Sequence, residues 1–524
     1  MKSILSMFYS LAVSWYCLLD SASSYKILVT SLGISESQNL NMARIADIMA
    51  SRGHEVTLLW WAKYTTDVVK TEHKIMQISL PLTTDESFKE MMKEGPQKFL
   101  WKKPPIDISI GLLMILYQAS YGCENLLESH QLVIDAMKSE NYDLILNHIF
   151  DGCTYGLAHV LGTKTVASFS TGFITDPVAW HAGVPAPASL VPSFHNPTTD
   201  KMSFSGRVKN LILTTVSNLA FDFIYRAHTN CFRKKFGAEF PSIQSLMKET
   251  QLYLLNSDIF FEFPKPTQHN IVYVGGLIME QPQPLNEKWQ KIVDRSERIV
   301  LFSLGTMATT MPEYVKEALM GAFKRFPSYT FLCKGMGDLQ QVNDVPNIYI
   351  DKWIPQRDLL ASPKVKAFIT HGGYNSLMEA VHTGVPLVVI PLMGDQPANA
   401  KRVERAGIGV VLDKMTLSEQ ILFDALQLVL NQQEIEANAK LMSRMIRSKP
   451  MNALDTAVKW LEFLAEYKHL DALKPESRHM GLFKYYMIDV LFFLIFVIAL
   501  TLWIVFKCCR NMCRLIQKPK LKRE

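Results

Sequence analysis

Ala367-Phe368-Ile369-Thr370-His371-Gly372-Gly373-Tyr374-Asn375-Ser376-Leu377-Met378-Glu379-Ala380 joins two structural periods through a turn. The first four residues read as a short apolar strand. Two glycines turn the chain at its carboxyl end, and a helix starts at Tyr374. Free backbone N–H groups at a helix N-terminus attract anions, and here the side chains of Asn375 and Ser376 stand beside them. Gly372 and Gly373 let a ligand approach the backbone closely. His371 offers a phosphate a hydrogen bond or, if protonated, a positive charge. Glu379 lies one turn beyond Asn375, placed to accept from ribose hydroxyls. The next strand and loop, ending Pro391-Leu392-Met393-Gly394-Asp395-Gln396, bring a carboxylate and an amide to the same crevice.

Outward from this stretch the chain alternates strands with helical patterns. Strands are expected at residues 299–303, 330–333, 347–350, 367–370 and 387–390, in a unit that opens after Gly275-Gly276 and the linker Gln281-Pro282-Gln283-Pro284. An earlier unit begins with a strand at 26–30 and a helix over 41–52 stopped by Gly53. A strand at 55–60 follows, which makes a βαβ unit and implies a parallel sheet. Strands at 143–146 and 165–168 continue it, and 184–197 is a proline-rich loop. Two doubly wound α/β units in tandem leave a cleft between the carboxyl ends of their strands.

The chain has 524 residues, 48% hydrophobic and 20% charged, which suits two or three domains and excludes a disordered chain. Eight cysteines are too few for a disulfide scaffold. The four at 123, 153, 231 and 333 allow a bridge without demanding one. Lys2, the apolar run from Ile4 to Leu19 and small residues to Ser24 read as a signal peptide over 1–24. Residues 488–506 read as a membrane-spanning helix, because 490–506 carry no charge. The tail 507–524 holds seven basic residues and one acidic, which is the whole net charge of +6. The rest of the chain therefore sums to zero, and nothing points to nucleic acid. Positive residues stay cytosolic, so the body is expected on the other side as a single-pass type I protein. Lys520-Leu521-Lys522-Arg523-Glu524 fits a dilysine signal for the endoplasmic reticulum, and Cys508, Cys509 and Cys513 are candidates for palmitoylation. Asn196-Pro197-Thr198 is no glycosylation site, because of its proline.

Trp353-x-x-Gln356, His371-Gly372-Gly373-x-Asn375-Ser376-x-x-Glu379 and Asp395-Gln396, in this order, resemble the signature of the UDP-glycosyltransferases, the family of the membrane-bound UDP-glucuronosyltransferases. Singly, His371 also reads as a capping histidine, Trp353 as a core residue, Glu379 as a solvated carboxylate and Asp395 as a helix cap. The ordered set is what selects the family. Asn256-Ser257-Asp258, Tyr273-Val274-Gly275-Gly276 and Phe302-Ser303-Leu304-Gly305-Thr306 match as well. The resemblance implies a GT-B fold, with an acceptor-binding Rossmann-like domain at 25–280 and a UDP-sugar-binding one at 285–475. Trp353 would stack the uracil, Gln356 bond the nucleoside and Glu379 hold the ribose. Ser303, His371, Gly373, Asn375 and Ser376 would meet the diphosphate, and Asp395 and Gln396 the sugar. It implies no cofactor, since the UDP-sugar is a co-substrate, and no metal, because the sequence has no Asp-x-Asp. Met393 stands where the family shows Phe, leaving glucose, glucuronic acid and N-acetylglucosamine open as donors.

The family deprotonates its acceptor with a histidine oriented by an acidic residue. Counted from Arg52-Gly53-His54-Glu55-Val56-Thr57, the histidine position is Gln38. Counted from Tyr142-Asp143-Leu144-Ile145-Leu146, the acidic position is His148. An amide cannot take a proton. Three readings follow: His148, at a strand end facing the cleft and oriented by Asp151, is the base; the acceptor is an amine; or the chain binds donor without transferring well. The expected function is sugar transfer, inverting and metal-independent, from a UDP-sugar to a small lipophilic acceptor, as in detoxification. The alternatives are a donor-binding regulator that pairs with itself or an active relative, and a surface receptor. Phe169, Phe173, Trp180 and residues 106–117 are candidates for the acceptor pocket.

Overall fold

The computed structural model describes residues 24–33, 36–63, 70–81, 100–102, 110–277, 279, 281–305, 308, 311–335 and 345–516. The signal-like run to Ser23, residues 106–109, Thr306 and the dilysine-like terminus lie outside the described residues.

Among the described residues, thirteen strands form two sheets, parallel throughout. The first contains β1 (Lys26–Leu32), β2 (Glu55–Lys63), β3 (Met76–Pro81), β4 (Leu144–His148), β5 (Val166–Ser170), β6 (Leu252–Leu255) and β7 (Ile271–Tyr273). The second contains β8 (Ile299–Ser303), β9 (Thr330–Lys334), β10 (Ile348–Asp351), β11 (Val365–Thr370), β12 (Leu387–Val389) and β13 (Gly409–Val411). Their orders, β3-β2-β1-β4-β5-β6-β7 and β10-β9-β8-β11-β12-β13, reverse direction beside β1 and β8. Such a reversal opens a crevice at the carboxyl ends of the strands.

Each sheet is covered on both faces, so its strands are mainly apolar, with buried polar residues such as Thr57, Asn147 and Ser168 among them. Ile27 and Val29 point into one core and Leu28 into the other; likewise Ile299 and Leu301 face away from Val300 and Phe302. The short strands β6, β7 and β13 carry no period long enough to be read from sequence. The helices that position the site are α1 (Glu36–Ser51), α2 (Ile110–Ser129), α3 (Gly152–Leu161), α4 (Phe204–Phe236), α5 (Gln356–Leu360), α6 (Tyr374–Thr383) and α7 (Gln396–Ala406). The first begins five residues before the expected start at Asn41, in a polar turn. Gly53 ends its connection with φ +89°, a left-handed conformation that favours glycine. Cys123 of α2 and Cys153 of α3 form a disulfide.

After the second sheet the chain returns to the first. Helix α8 (Ala453–Tyr467) places Ala457, Val458, Leu461, Leu464 and Ala465 in one core with Ile27, Val29, Leu58 and Leu146. Its outer contacts repeat that choice, with Arg52 on Asp455 at 3.1 Å and His54 Nε2 on Glu462 at 3.2 Å. His54 Nδ1 accepts the Tyr25 N–H at 3.3 Å, so Nε2 holds the ring proton and donates to Glu462. Residues 475–524 form a second compact unit. Its helix α9 (Ile488–Ile516) has 29 residues, ten beyond the expected end at Phe506, and is long and apolar enough to cross a membrane.

Burial of Leu461 seats α8, so Leu461→Ala is expected to lower unfolding free energy by about 2–5 kcal/mol. Urea unfolding of the full chain in detergent checks this; a loss below about 0.5 kcal/mol would contradict the packing.

Candidate functional site

The carboxyl ends of β8, β9, β11 and β12 and the start of α6 form one wall of the cleft. Ten of the twelve sequence-derived site residues line the cleft, all but Gln38 on this wall: Gln38, Trp353, Gln356, His371, Gly373, Asn375, Ser376, Glu379, Asp395 and Gln396. Ser303 and His148 do not. Ser303 is fully buried at the end of β8, where its Oγ accepts the Gly305 N–H at 3.3 Å.

His371 sits between two glycines. A Cβ on Gly305 would fall 2.7 Å from its ring, and one on Gly373 would fall 2.5 Å from Nε2. Gly305 also has φ +78°, so the pair leaves room for the ring and the backbone path at once. Burial, aided by the charge of Lys334, pushes the imidazole down to about 4. At neutral pH it is therefore uncharged and offers the cleft a hydrogen bond without a positive charge. Positive potential at this wall comes instead from the α6 N-terminus and from Lys334, whose Nζ lies 4.0 Å from the Trp353 ring centroid.

Around Gln356 the cleft wall is a small network. Gln356 Nε2 donates to Glu379 Oε2 at 2.6 Å and to Ser376 Oγ at 3.2 Å. Burial raises the Glu379 carboxyl above its ordinary value, opposed by Gln356. Trp353 is 64% exposed, which places it on the surface of the cleft instead of in a core. At the start of α7, Gln396 Oε1 accepts the N–H groups of Leu392 (2.8 Å) and Met393 (3.0 Å). Its NH2 is thereby left to donate. Asp395 occupies the cap position of α7 without capping it; its carboxylate accepts from Asn399 Nδ2 at 2.6 Å. Burial raises that carboxyl too.

Asn375 is held from the opposite domain, donating to Asn41 Oδ1 at 3.1 Å. Lys334 and Arg357 line the cleft and Asn41 holds Asn375 beside it, three residues that sequence reading missed. Lys334 was findable, because it ends a strand of a parallel sheet and such ends face the cleft. Asn41 sits mid-helix and gave no local signal.

The opposite wall is apolar. Leu32, Leu40, Leu116, Phe150, Phe173 and Phe194 line it with Gln38. Phe169 is instead in the core of the first sheet, and Trp180 does not line the cleft. The expected cleft-facing position of His148 is corrected by the structure. His148 ends β4 but is 1% exposed, behind Phe150, whose ring centroid lies 5.5 Å away. Its Nδ1 accepts the Phe150 N–H at 3.4 Å. The neutral ring therefore carries its proton on Nε2, which has no partner among the described residues. Burial pushes this imidazole down to about 3. Asp151 is engaged elsewhere: it caps α3 through Thr154 and accepts from Trp61 Nε1 at 2.9 Å. Burial raises its carboxyl to about 6 against those bonds.

Comparison with known proteins follows the same lines. A family model described as "UDP-glucoronosyl and UDP-glucosyl transferase" matches residues 25–523. UDP-glucuronosyltransferase 2C1 of Oryctolagus cuniculus is 31% identical, over 92% of this chain and 98% of its own. UDP-glucuronosyltransferase 3A2 of Homo sapiens is 31% identical over 91% and 92%. In fold, the chain is similar to a UDP-glucosyltransferase from Polygonum tinctorium capable of glucosylating indoxyl, with TM-score 0.60 and 16% identity over 85% of this chain and 99% of that one.

A carboxylate accepts from hydroxyls best when ionised, so uridine diphosphate affinity is expected to fall as pH drops through the raised Glu379 titration. Glu379→Gln should weaken binding about tenfold, the loss of roughly one charged hydrogen bond, and flatten that pH dependence. Calorimetry checks it; an unchanged pH dependence in the variant would remove Glu379 from the ribose site.

Proposed function

The chain belongs to the UDP-glycosyltransferase family and has its GT-B fold, and from that premise we propose that it transfers a sugar from a UDP-sugar to the amino nitrogen of a small lipophilic acceptor. The observation that carries this is the chemistry at the two dyad positions. Gln38 has no lone pair basic enough to take a proton, and His148 keeps its proton on Nε2 behind Phe150. A hydroxyl needs such a base before it attacks. An amine does not.

The donor wall supplies the remaining terms. Trp353 stacks the base and Glu379 holds the ribose. Lys334, His371, Asn375, Ser376 and the α6 N-terminus meet the diphosphate, where charge develops as it leaves. Asp395 and the Gln396 NH2 fix the sugar hydroxyls. The amine nitrogen attacks the anomeric carbon from the face opposite the diphosphate. The carbon–oxygen bond to UDP breaks with its electron pair, and the new ammonium nitrogen loses a proton to water. One inversion results. The apolar wall of Leu32, Leu116, Phe150 and Phe194 suits a lipophilic acceptor. Lys507, Arg510 and Arg514 after the apolar span support a type I orientation, and the dilysine-like terminus supports retention in the endoplasmic reticulum.

The same two positions favour a second reading, a donor-binding partner of an active relative that transfers nothing itself. One assay separates the two. Full-length protein in vesicles is incubated with a panel of UDP-sugars and matched amine, phenol and alcohol acceptors. Amine conjugates are expected, with alcohol conjugates lower by on the order of 10²-fold, the usual worth of a general base. The double substitution Gln38→His with His148→Asp should raise alcohol conjugation by a similar factor. No conjugate with any pair, in protein that still binds UDP, would leave only the second reading.

A further inference from the structure

Helix α9 does not end where its apolar run ends. Residues 490–506 carry no charge and cover about 26 Å at ~1.5 Å per residue, short of the ~30 Å core of a typical bilayer. The helix then continues without a break to Ile516. Where the run gives out, Lys507 Nζ lies 5.1 Å from the Trp503 ring centroid, one turn back. In a spanning helix, a lysine folded over a tryptophan marks the boundary between hydrocarbon and water. The next turns of α9 then lie at headgroup depth.

These turns have two faces. At about 100° per residue, Lys507, Arg510, Asn511 and Arg514 fall within an arc of about 100°. Cys508, Cys509, Met512, Cys513 and Leu515 occupy the opposite side, so all three thiols share one apolar face and none lies among the cations. Each of the three is exposed. Of the other free cysteines among the described residues, Cys333 is buried and Cys231 is held against the carbonyls of Ser120 and Ala227. No residue from 490 to 523 is acidic, so the cationic face finds no counter-charge in its own stretch of chain.

We propose that Cys508, Cys509 and Cys513 are S-acylated, each accepting a long-chain fatty acyl group from an acyl-coenzyme A thioester. The thiolate sulfur attacks the thioester carbonyl. The carbon–sulfur bond to coenzyme A breaks with its electron pair, and the coenzyme A sulfur takes the proton that the cysteine lost. One thioester replaces another, so the exchange needs no oxidant or reductant. Because the three sulfurs share a face, their chains enter the same leaflet side by side, while Lys507, Arg510 and Arg514 meet anionic headgroups. Two or more chains beside a basic cluster hold a segment to a membrane lastingly, where one chain does not. The assignment rests on reading α9 as a span whose basic end is cytosolic, where thiols stay reduced.

The test uses the full-length chain in sealed microsomes from cells that express it. After denaturation, free thiols are blocked with N-ethylmaleimide, thioesters are opened with neutral hydroxylamine, and the released thiols are tagged with a polyethylene glycol maleimide. Hydroxylamine-dependent tagging in up to three steps is expected. Combining Cys508→Ser, Cys509→Ser and Cys513→Ser should reduce it to the level seen without hydroxylamine, and Cys231→Ser should leave it unchanged. No hydroxylamine-dependent tag, or a tag that survives in the triple variant, would overturn the assignment, as would disulfide-linked pairs of chains through these thiols. Orientation is read separately, from Asn511→Cys placed in the triple variant and an impermeant maleimide added to the sealed microsomes. Reaction before detergent puts the basic end in the cytosol; reaction only after detergent would sink that orientation and the acylation with it.

Discussion

The buried guanidinium of Arg402 is the contact through which the two sheets share one cleft. It projects from α7 and meets the Glu262 carboxylate through Nε at 2.9 Å and Nη2 at 2.7 Å, both side chains being almost wholly buried. Burial alone would raise the Glu262 carboxyl; Arg402 and Lys265 outweigh it and hold the group below its ordinary value. The same guanidinium lies 3.9 Å from the ring centroid of Phe173 and 4.9 Å from that of Phe263. Such a pair adds little net stability over apolar packing, but losing one partner costs about 3–5 kcal/mol because the other charge is left alone. Its value is geometric. Asp395 and Gln396 lead into the helix that carries Arg402, and Phe173 belongs to the opposite wall, so this interaction, with the Asn375–Asn41 contact, holds the two walls at a fixed distance.

Within that frame the two walls differ in kind. The donor wall is preorganised: His371 is wedged between Gly305 and Gly373, Gln356 ties Glu379 to Ser376, and Gln396 is turned by two backbone N–H groups. Each of these contacts fixes a polar group before ligand arrives, which is where electrostatic catalysis gets its worth. The acceptor wall has shape and apolarity, and among the described residues its one polar group at a dyad position is the Gln38 amide. Position and chemistry have separated there. One wall keeps its polar groups fixed, while the two positions counted for the proton-removing pair hold the Gln38 amide and the buried His148 ring.

The strand–turn–helix from Ala367 to Glu379 was legible because three signals coincide in it: an apolar run, two glycines and a polar helix start. The strand at Ile299–Ser303 ends where the apolar run ends. Other features are set by distant parts of the chain. An amphipathic pattern over 453–467 says that one face is covered; that it is covered by the first sheet depends on Arg52, His54 and the core around Leu58. Strand alternation places His148 at the end of β4, but whether it reaches the cleft is decided by the next ring, Phe150. Ser303 shares the landmark of the donor motif and is nonetheless turned inward to hold Gly305. Motif spacing reports which residues come together, and packing decides which of their atoms stay accessible.

On the proposed route the protein contributes no titrating base to the transfer step. The pH dependence of kcat/KM for an amine acceptor, repeated with amines of different basicity, tests this. The acid limb is expected to follow each acceptor's own pKa and to move with it from amine to amine. A limb fixed at one pH for every acceptor and abolished by His148→Ala would show an enzyme base at work and contradict the account.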